Sequence, residues 1–256
     1  MTALIVVASA LLGLAVGSFL NVVIWRVPRR ESVVSPPSHC PGCDAEIAPY
    51  DNIPVLSWFI LHGRCRRCGV HISVRYPLVE AGTGLLWALL AWRFAESWAL
   101  PAYLVLAAGL VALSLIDLDT FLLPNRIVYP LTVAVVALFG VAALAGDDGA
   151  AFWRALIGGL CAFAVFLLLH LISPRGMGFG DVKLSFVLGV SLGWVSGALV
   201  FLGIFLAFLV GSVVSVLLIA TKRRTRKDHV PFGPFLATGT LVALLVGEQI
   251  LSAIGR

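Results

Sequence analysis

Long apolar segments dominate this chain and restrict it to structures that suit a lipid bilayer. Hydrophobic residues make up 60% of its 256 positions and charged residues only 12%, which differs from ordinary soluble domains. Runs long enough to cross a hydrocarbon core of about 30 Å occupy residues 4–25, 79–98, 101–118, 127–145, 152–172 and 232–252. The uncharged stretch 184–220 is too long for one crossing, so glycines near its middle predict two helices, the first near 182–196. The sequence predicts an all-α polytopic membrane protein with about eight transmembrane helices.

Basic residues predict the orientation of these helices. The loops 26–77, 119–126, 173–183 and 221–231 hold 15 of the 18 Lys and Arg residues, and all four lie on one face if the helices alternate. Because basic loops remain in the cytoplasm, the N-terminus is expected on the opposite, outer side of the membrane. The first apolar run lacks a basic segment before it, which favours an uncleaved anchor over a secretion signal. The net charge of +5 therefore reflects membrane orientation, and no nucleic-acid partner is expected.

Three segments follow from this topology: a first transmembrane helix at 1–25, a cytoplasmic loop at 26–77, and a seven-helix membrane core at 78–256. The basic segment 221–231 is interpreted as an orientation signal and a contact for anionic membrane lipid. Its basic residues are Lys222, Arg223, Arg224, Arg226 and Lys227.

The loop between the first two helices contains two CxxC motifs. Cys40 and Cys43 form the first motif, Cys65 and Cys68 the second, and 21 residues separate them. Four thiolates suit tetrahedral Zn²⁺, and a closed set of four indicates a structural site, so a zinc-ribbon-like loop is predicted. Two disulfides or four unbound thiols are the alternatives. A cytoplasmic location disfavours disulfides.

Two aspartates border the apolar segments and are candidate catalytic residues. Asp117 lies at the end of the third predicted helix and Asp181 at the start of the sixth, on the same membrane face. Aspartate costs about 2.5 to 3.5 kcal/mol at the centre of a membrane helix, so such residues usually have a function. One ionised carboxylate can remove a proton from water while a protonated one polarises a peptide carbonyl. The alternative is that both are helix caps or interfacial charges.

The residues around the two aspartates favour entry of an extended peptide. Glycines in Gly178-Phe-Gly-Asp181 permit another chain to approach closely, and Pro124 limits continuation of the helix after Asp117. Asp119 points to another side of the helix and is secondary. Lys183 either orients Asp181 or extends towards the membrane interface.

The chain resembles the type IV prepilin peptidases, polytopic aspartic proteases of the GxGD class. Several segments carry the resemblance: Gly17-Ser-Phe-Leu-Asn-Val-Val-Ile-Trp-Arg-Val-Pro28, both CxxC motifs, Asn52-Ile-Pro-Val-Leu-Ser-Trp58, Ile72-Ser-Val-Arg-Tyr-Pro-Leu-Val-Glu80, Ile116-Asp-Leu-Asp-Thr-Phe-Leu-Leu-Pro-Asn125, Gly176-Met-Gly-Phe-Gly-Asp-Val-Lys183 and Val230-Pro-Phe-Gly-Pro-Phe235. The resemblance implies removal of the basic leader of prepilin or pseudopilin precursors on the cytoplasmic side. It implies that Asp117 and Asp181 are the catalytic pair.

Many members of this family with the four-cysteine loop also methylate the new N-terminus with S-adenosylmethionine. The resemblance implies that Glu80 and the 26–77 loop serve this reaction, whereas Glu80 is otherwise a helix-start carboxylate. Asn125 and His62 depart from residues common in bifunctional members. No glycine-rich nucleotide-binding loop supports a methyl-donor site independently.

Two other functions are compatible with parts of the pattern. A proton-coupled carrier also uses intramembrane carboxylates, but carriers often place them near the middle of the membrane at broken helices in repeats. A membrane scaffold that binds a partner through the zinc loop leaves the aspartates unexplained. The sequence therefore favours an aspartic peptidase.

Overall fold

The computed structural model describes residues 1–146, 148–174, 176–222, 225 and 230–255. Within these ranges the protein is helical, and its only strand-like pairings are two isolated β-bridges in the cysteine loop. The helices are α1 (Thr2–Arg26), α2 (Leu56–Ile60), α3 (Arg75–Phe94), α4 (Leu100–Thr120), α5 (Asn125–Gly146), α6 (Gly149–Ile172), α7 (Phe179–Val195), α8 (Gly197–Ala220) and α9 (Gly233–Ile254). The predicted all-α class is confirmed.

The chain divides by its internal contacts into two compact units, Met1–Glu96 and Ser97–Arg256. The division predicted from the sequence, at 25/26 and 77/78, stays a prediction.

In the first unit, glycines allow α1 and α3 to pack closely. A Cβ atom on Gly13 would lie 2.9 Å from Gly84 Cα, and one on Gly17 would lie 2.7 Å from Glu80 Cα. The spacing of Gly13 and Gly17 is the small-residue pattern that brings membrane helices together. This contact fixes Glu80 beside the second half of α1.

The second unit is also assembled around small residues. A Cβ on Gly158 of α6 would lie 2.8 Å from Gly189 O of α7, and one on Gly239 of α9 would lie 2.5 Å from Gly203 O of α8. The Tyr103 hydroxyl of α4 donates to Ser191 O of α7 over 3.2 Å. These contacts pack α7 against α4 and α6, and α9 against α8.

Arg154 is one of the few basic residues outside the predicted cytoplasmic loops, and its contacts explain its position. Its Nε donates to Gly193 O over 2.9 Å, and one Nη donates to Trp194 O. Both carbonyls belong to the last turn of α7, where a cation is favourable. The helix then breaks at Ser196, whose side chain accepts from Leu199 N and caps α8. The predicted division of 184–220 into two helices is confirmed.

Six helices in the described part of the chain are long and apolar enough to cross a membrane: α1, α4, α5, α6, α8 and α9. Their outward faces carry large apolar side chains, such as Phe201 and Leu144, which suit contact with lipid rather than water. The protein is therefore a multi-pass membrane protein.

The predicted count of eight spans stays a prediction, because α3 and α7 fall outside this set. The 17 residues of α7 extend only about 26 Å. In α3, Arg75, Glu80 and Arg93 reduce the apolar character. Of the basic segment 221–231, Arg223, Arg224, Arg226 and Lys227 lie outside the described residues.

Candidate active site and candidate metal centre

Asp117 lies in the last turn of α4, where its side chain is 5% exposed. The helix ends after Thr120 because Phe121 adopts a left-handed conformation (φ 56°), and its N–H donates to Asp117 O over 2.9 Å. Pro124 precedes the first residue of α5, and its carbonyl accepts from Ile127 N and Val128 N. The predicted break after Asp117 is present and occupies residues 121–124.

The N-terminus of α9 contacts the Asp117 carboxylate. Gly233 N donates to Asp117 Oδ2 over 2.9 Å. Helix N-termini present free N–H groups and partial positive charge, so this position favours an anion. A Cβ on residue 233 would lie 2.8 Å from Asp117 Oδ2, so glycine permits this close approach.

Asp181 lies in the first turn of α7 and is 7% exposed. The residue at the N-cap is Gly178, and Asp181, three residues later, accepts from the Gly178 N–H, so Asp181 also contributes to capping the start of α7. Among the described residues, its buried Oδ1 atom has no hydrogen-bond partner. A buried polar atom without a partner is costly and usually has a functional reason.

The structure brings the two aspartates to the same end of the second unit. Leu123 contacts a neighbour of each aspartate. A Cβ on Gly180, the residue before Asp181, would lie 2.9 Å from Leu123 Cβ. A Cβ on Gly233, whose N–H donates to Asp117, would lie 3.3 Å from Leu123 Cδ2. Two buried carboxylates from distant parts of the chain therefore share one site.

The neighbouring charged residues have other roles. Lys183 Nζ donates to Asn125 Oδ1 over 2.6 Å and lies over the Tyr129 and Phe179 rings. It therefore joins the start of α7 to the start of α5 and forms no ion pair with Asp181 among the described residues. Asp119 is exposed, in agreement with its secondary rank.

The four cysteines of the first unit form one cluster. Their Sγ atoms all lie within 4.8 Å of one another, and Cys40 Sγ and Cys68 Sγ are 3.7 Å apart. Four bonds of about 2.3 Å around zinc separate neighbouring sulfurs by about 3.8 Å, so the spacing fits a tetrahedral metal site. None of the four is in a disulfide, and the nearby histidines do not belong to the cluster.

Backbone geometry shapes both cysteine motifs in the same way. Cys40 N donates to Ala45 O and Cys65 N donates to Val70 O, each over 2.9 Å. In each motif the residue after the second cysteine, Asp44 or Gly69, has a positive φ. The two turns therefore present their sulfurs to a common point.

The pKa values of the cysteine thiols indicate how the cluster would respond to a metal ion. Amides of Cys68 and Arg67 lower the pKa of the Cys65 thiol to about 6. The Val70 amide acts in the same direction on Cys68, but desolvation and the three neighbouring sulfurs outweigh it and raise the pKa of Cys68 to about 12. Four thiolates therefore form together only when a metal ion balances their charge. The cluster can bind a metal.

Glu80 is buried in α3 and has a different environment from a solvent-exposed helix-start carboxylate. Its Oε2 accepts from Val55 N over 2.6 Å. Val55 has φ 63° and ψ −51°, a conformation that is rare for a β-branched residue. Glu80 therefore holds a strained segment of the loop that follows the first cysteine motif.

Sequence reasoning did not assign roles to Gly233, Leu123 or Val55. The segment Val230–Phe235 was part of the resemblance, and its Pro-Phe-Gly-Pro pattern was the available signal for Gly233. Leu123 and Val55 also lie in segments that carry the resemblance, Ile116–Asn125 and Asn52–Trp58, but nothing in those segments distinguishes them from their apolar neighbours.

These features define a membrane protein with a buried carboxylate pair at one end of a helix bundle and a separate four-sulfur metal site. Two family models match the chain: the bacterial peptidase A24 N-terminal domain over residues 11–94 and the type IV leader peptidase family over residues 104–216. No solved structure gives a significant match.

Curated relatives match nearly the whole chain. A protein of Stutzerimonas stutzeri, named prepilin leader peptidase/N-methyltransferase, is 39% identical over 97% of this chain and 93% of its own. Proteins of the same name from Pseudomonas aeruginosa and Neisseria gonorrhoeae are 40% and 34% identical, over 96% of this chain and 91% and 92% of theirs. The chain belongs to the type IV leader peptidase family. The family and enzyme class predicted from the sequence are thereby confirmed.

Proposed function

We propose that this protein removes the leader of type IV prepilin or pseudopilin precursors, with Asp117 and Asp181 as its catalytic pair. The observation that carries this assignment is the burial of two carboxylates, from α4 and α7, in one site with a polar atom left unpartnered. The names of the relatives support the substrate class.

The contacts of the pair favour different protonation states. Gly233 N–H and the N-terminus of α9 stabilise a negative charge on Asp117. Asp181 also accepts from one backbone N–H, that of Gly178, but its Oδ1 has no donor among the described residues, so we assign the shared proton to this oxygen. Asp117 is then the base and Asp181 the acid.

Hydrolysis follows from this arrangement. Asp117 removes a proton from water, whose oxygen attacks the scissile carbonyl carbon while Asp181 donates its proton towards the carbonyl oxygen. The C–N bond of the resulting tetrahedral intermediate then breaks, and the leaving amine takes a proton from the pair. The products are a carboxylate on the leader and a free N-terminus on the pilin.

The active site faces the cytoplasm of a bacterial inner membrane, and the N-terminus lies outside. This orientation is supported by the basic residues of the loops that follow α1, α4, α6 and α8. The precursor stem would lie along the membrane core, with its leader at the cytoplasmic boundary. Lys222 and its basic neighbours would contact anionic lipid.

The metal is structural Zn²⁺, bound by Cys40, Cys43, Cys65 and Cys68. The donor set of four sulfurs and their spacing support zinc. The first unit also transfers a methyl group from S-adenosylmethionine to the new N-terminus, as the relatives' names indicate for those proteins. Glu80 would serve this reaction through the loop that it holds.

The peptidase assignment is tested with isosteric substitutions. Asp117→Asn and Asp181→Asn keep the side-chain shape but remove the acid/base group, and each is expected to lower the leader cleavage rate by at least about 10³-fold. Asp119→Asn, two residues from Asp117 and exposed, is the matched control. The measurement is the mass of a co-purified precursor incubated with each protein in nanodiscs. Leader removal at the wild-type rate by either of the first two variants would reject the pair.

A further inference from the structure

A single peptide group joins the end of α6 to Asp181. The carbonyl of this group belongs to Met177 and its N–H to Gly178. His170, in the last turn of α6, contacts the carbonyl, with 2.8 Å between Nδ1 and Met177 O. The Gly178 N–H donates to the Asp181 carboxylate, and a Cβ on Gly178 would lie 3.2 Å from Asp181 Oδ2. His170 is therefore separated by one peptide plane from a carboxylate of the proposed pair.

The chemistry of this contact defines what the His170 ring does. A carbonyl oxygen can only accept a hydrogen bond, so Nδ1 carries the hydrogen and donates to Met177 O. The same ring packs against Phe179, with 5.5 Å between the ring centroids. His170 thus contacts the residue on each side of Gly178.

The other bonds of this segment leave the Met177 carbonyl to His170. Ser173 O accepts from Gly176 N over 2.9 Å and from Met177 N over 3.3 Å, which fixes the amide of Met177 but not its carbonyl. Gly176 and Gly178 flank Met177, and glycine permits backbone rotation at small steric cost. Rotation of the peptide between residues 177 and 178 would turn the Gly178 N–H away from Asp181. The bond from His170 opposes this rotation.

Hydrogen bonds at the two ends of one peptide group also strengthen each other. A donor on the carbonyl oxygen polarises the peptide, which makes its N–H a better donor. The bond from His170 therefore strengthens the bond from Gly178 to Asp181. It holds one oxygen of Asp181 in place and leaves Oδ1, which has no partner among the described residues, for the reaction.

We propose that His170 is a positioning residue for Asp181, acting through the peptide group between Met177 and Gly178. The proposal rests on the proposed function, because it takes Asp181 as a member of the catalytic pair. The role requires the Nδ1–H donor of His170 and not merely its aromatic ring. Two substitutions separate these properties. His170→Asn places an amide nitrogen where Nδ1 lies but removes the ring, whereas His170→Phe keeps an aromatic ring but removes the donor.

NMR spectroscopy can observe this peptide group by itself. The chain has two methionines, and Met1 precedes Thr2, so Met177–Gly178 is its only Met–Gly pair. Protein labelled with [1-¹³C]methionine and [¹⁵N]glycine, in detergent micelles, therefore gives one carbonyl-correlated amide resonance. We expect His170→Phe to move both its ¹³C and ¹H shifts to lower frequency, because both hydrogen bonds weaken. His170→Asn should keep both shifts near the wild-type values. An unchanged resonance in His170→Phe would overturn the proposal.

Leader cleavage kinetics test the consequence for catalysis. Loss of a net hydrogen-bond contribution predicts a fall in kcat of about 2- to 12-fold in His170→Phe, with KM unchanged. His170→Asn should keep most of the wild-type kcat. Leu171→Phe is the matched control, because it introduces the same ring at an exposed neighbouring position of α6 and should cleave as wild type.

The kinetic outcomes distinguish the donor from the ring and this role from the peptidase assignment. Equal losses of kcat in His170→Phe and His170→Asn would assign the effect to the ring and overturn the proposal. Wild-type kcat in His170→Phe beside an inactive Asp181→Asn would overturn the role of His170 and leave the proposed function standing. Cleavage by Asp181→Asn at the wild-type rate would instead overturn the proposed function, and the role of His170 with it.

Discussion

Gly233→Ala is the most direct test of how the fold prepares Asp117. The new Cβ would lie 2.8 Å from Asp117 Oδ2, whereas ordinary van der Waals contact begins at 3.4 Å. The carboxylate or the start of α9 must therefore shift by about 0.6 Å. Such a shift would lengthen the 2.9 Å bond from Gly233 N to about 3.5 Å, beyond useful hydrogen-bond length.

The expected loss follows from the strength of that bond. Hydrogen bonds to charged groups contribute about 1.5 to 3 kcal/mol, so the leader cleavage rate should fall by about 10- to 150-fold. Purified protein and a synthetic or co-purified precursor allow kcat to be measured directly. Global stability should change little, because the strain is confined to one carboxylate.

A matched control is available at the start of another helix. Gly197 is the first residue of α8, as Gly233 is of α9, and a Cβ there meets nothing within 4 Å. Gly197→Ala should keep the wild-type rate. The reasoning is refuted if Gly233→Ala cleaves as fast as Gly197→Ala, since the bond to Asp117 would then have no part in catalysis.

Two further predictions concern the metal loop and the start of α7. Cys43→Ser should lose bound metal, because the three remaining sulfurs leave the coordination shell open. Cys161→Ser, outside the cluster, should retain the metal. Metal analysis of the purified variants distinguishes the two outcomes. Asn125→Asp should turn the 2.6 Å contact with Lys183 into an ion pair and stabilise the fold by about 0.2 to 1 kcal/mol. Thermal unfolding in detergent measures this, and a lower midpoint would contradict it.

Local sequence patterns were sufficient for most of the helices. Length and apolarity located α1 and α4 to within a few residues, and the break at Ser196 followed from the length of an uncharged stretch. The start of α3 was harder, because Arg75 and Glu80 interrupt the apolar pattern although both lie in the helix. The two CxxC motifs likewise predicted the cluster, because each turn offers two sulfurs to one ion, and the structure places all four sulfurs within 4.8 Å of one another.

Contacts between distant residues could not be predicted in the same way. The bond from Gly233 to Asp117 spans 116 residues and the bond from Lys183 to Asn125 spans 58. Neither has a periodic or local signal, because each depends on which helix ends meet in the bundle. The sequence predicts that Lys183 either orients Asp181 or extends towards the membrane interface. Its partner in the structure is Asn125, which stands out in the sequence only as a departure from the family pattern.

The position of both aspartates at helix ends follows from the requirements of peptide hydrolysis in a membrane. Within a continuous membrane helix the backbone N–H and C=O groups are paired, so a peptide substrate needs a place where helices stop and extended backbone is accessible. In this protein four residues separate the end of α4 from the start of α5, and α7 and α9 both start beside that break. Residues 121–124 and Gly178 therefore expose backbone next to the two carboxylates. A pair of aspartates placed mid-helix would be equally buried but would lack this access.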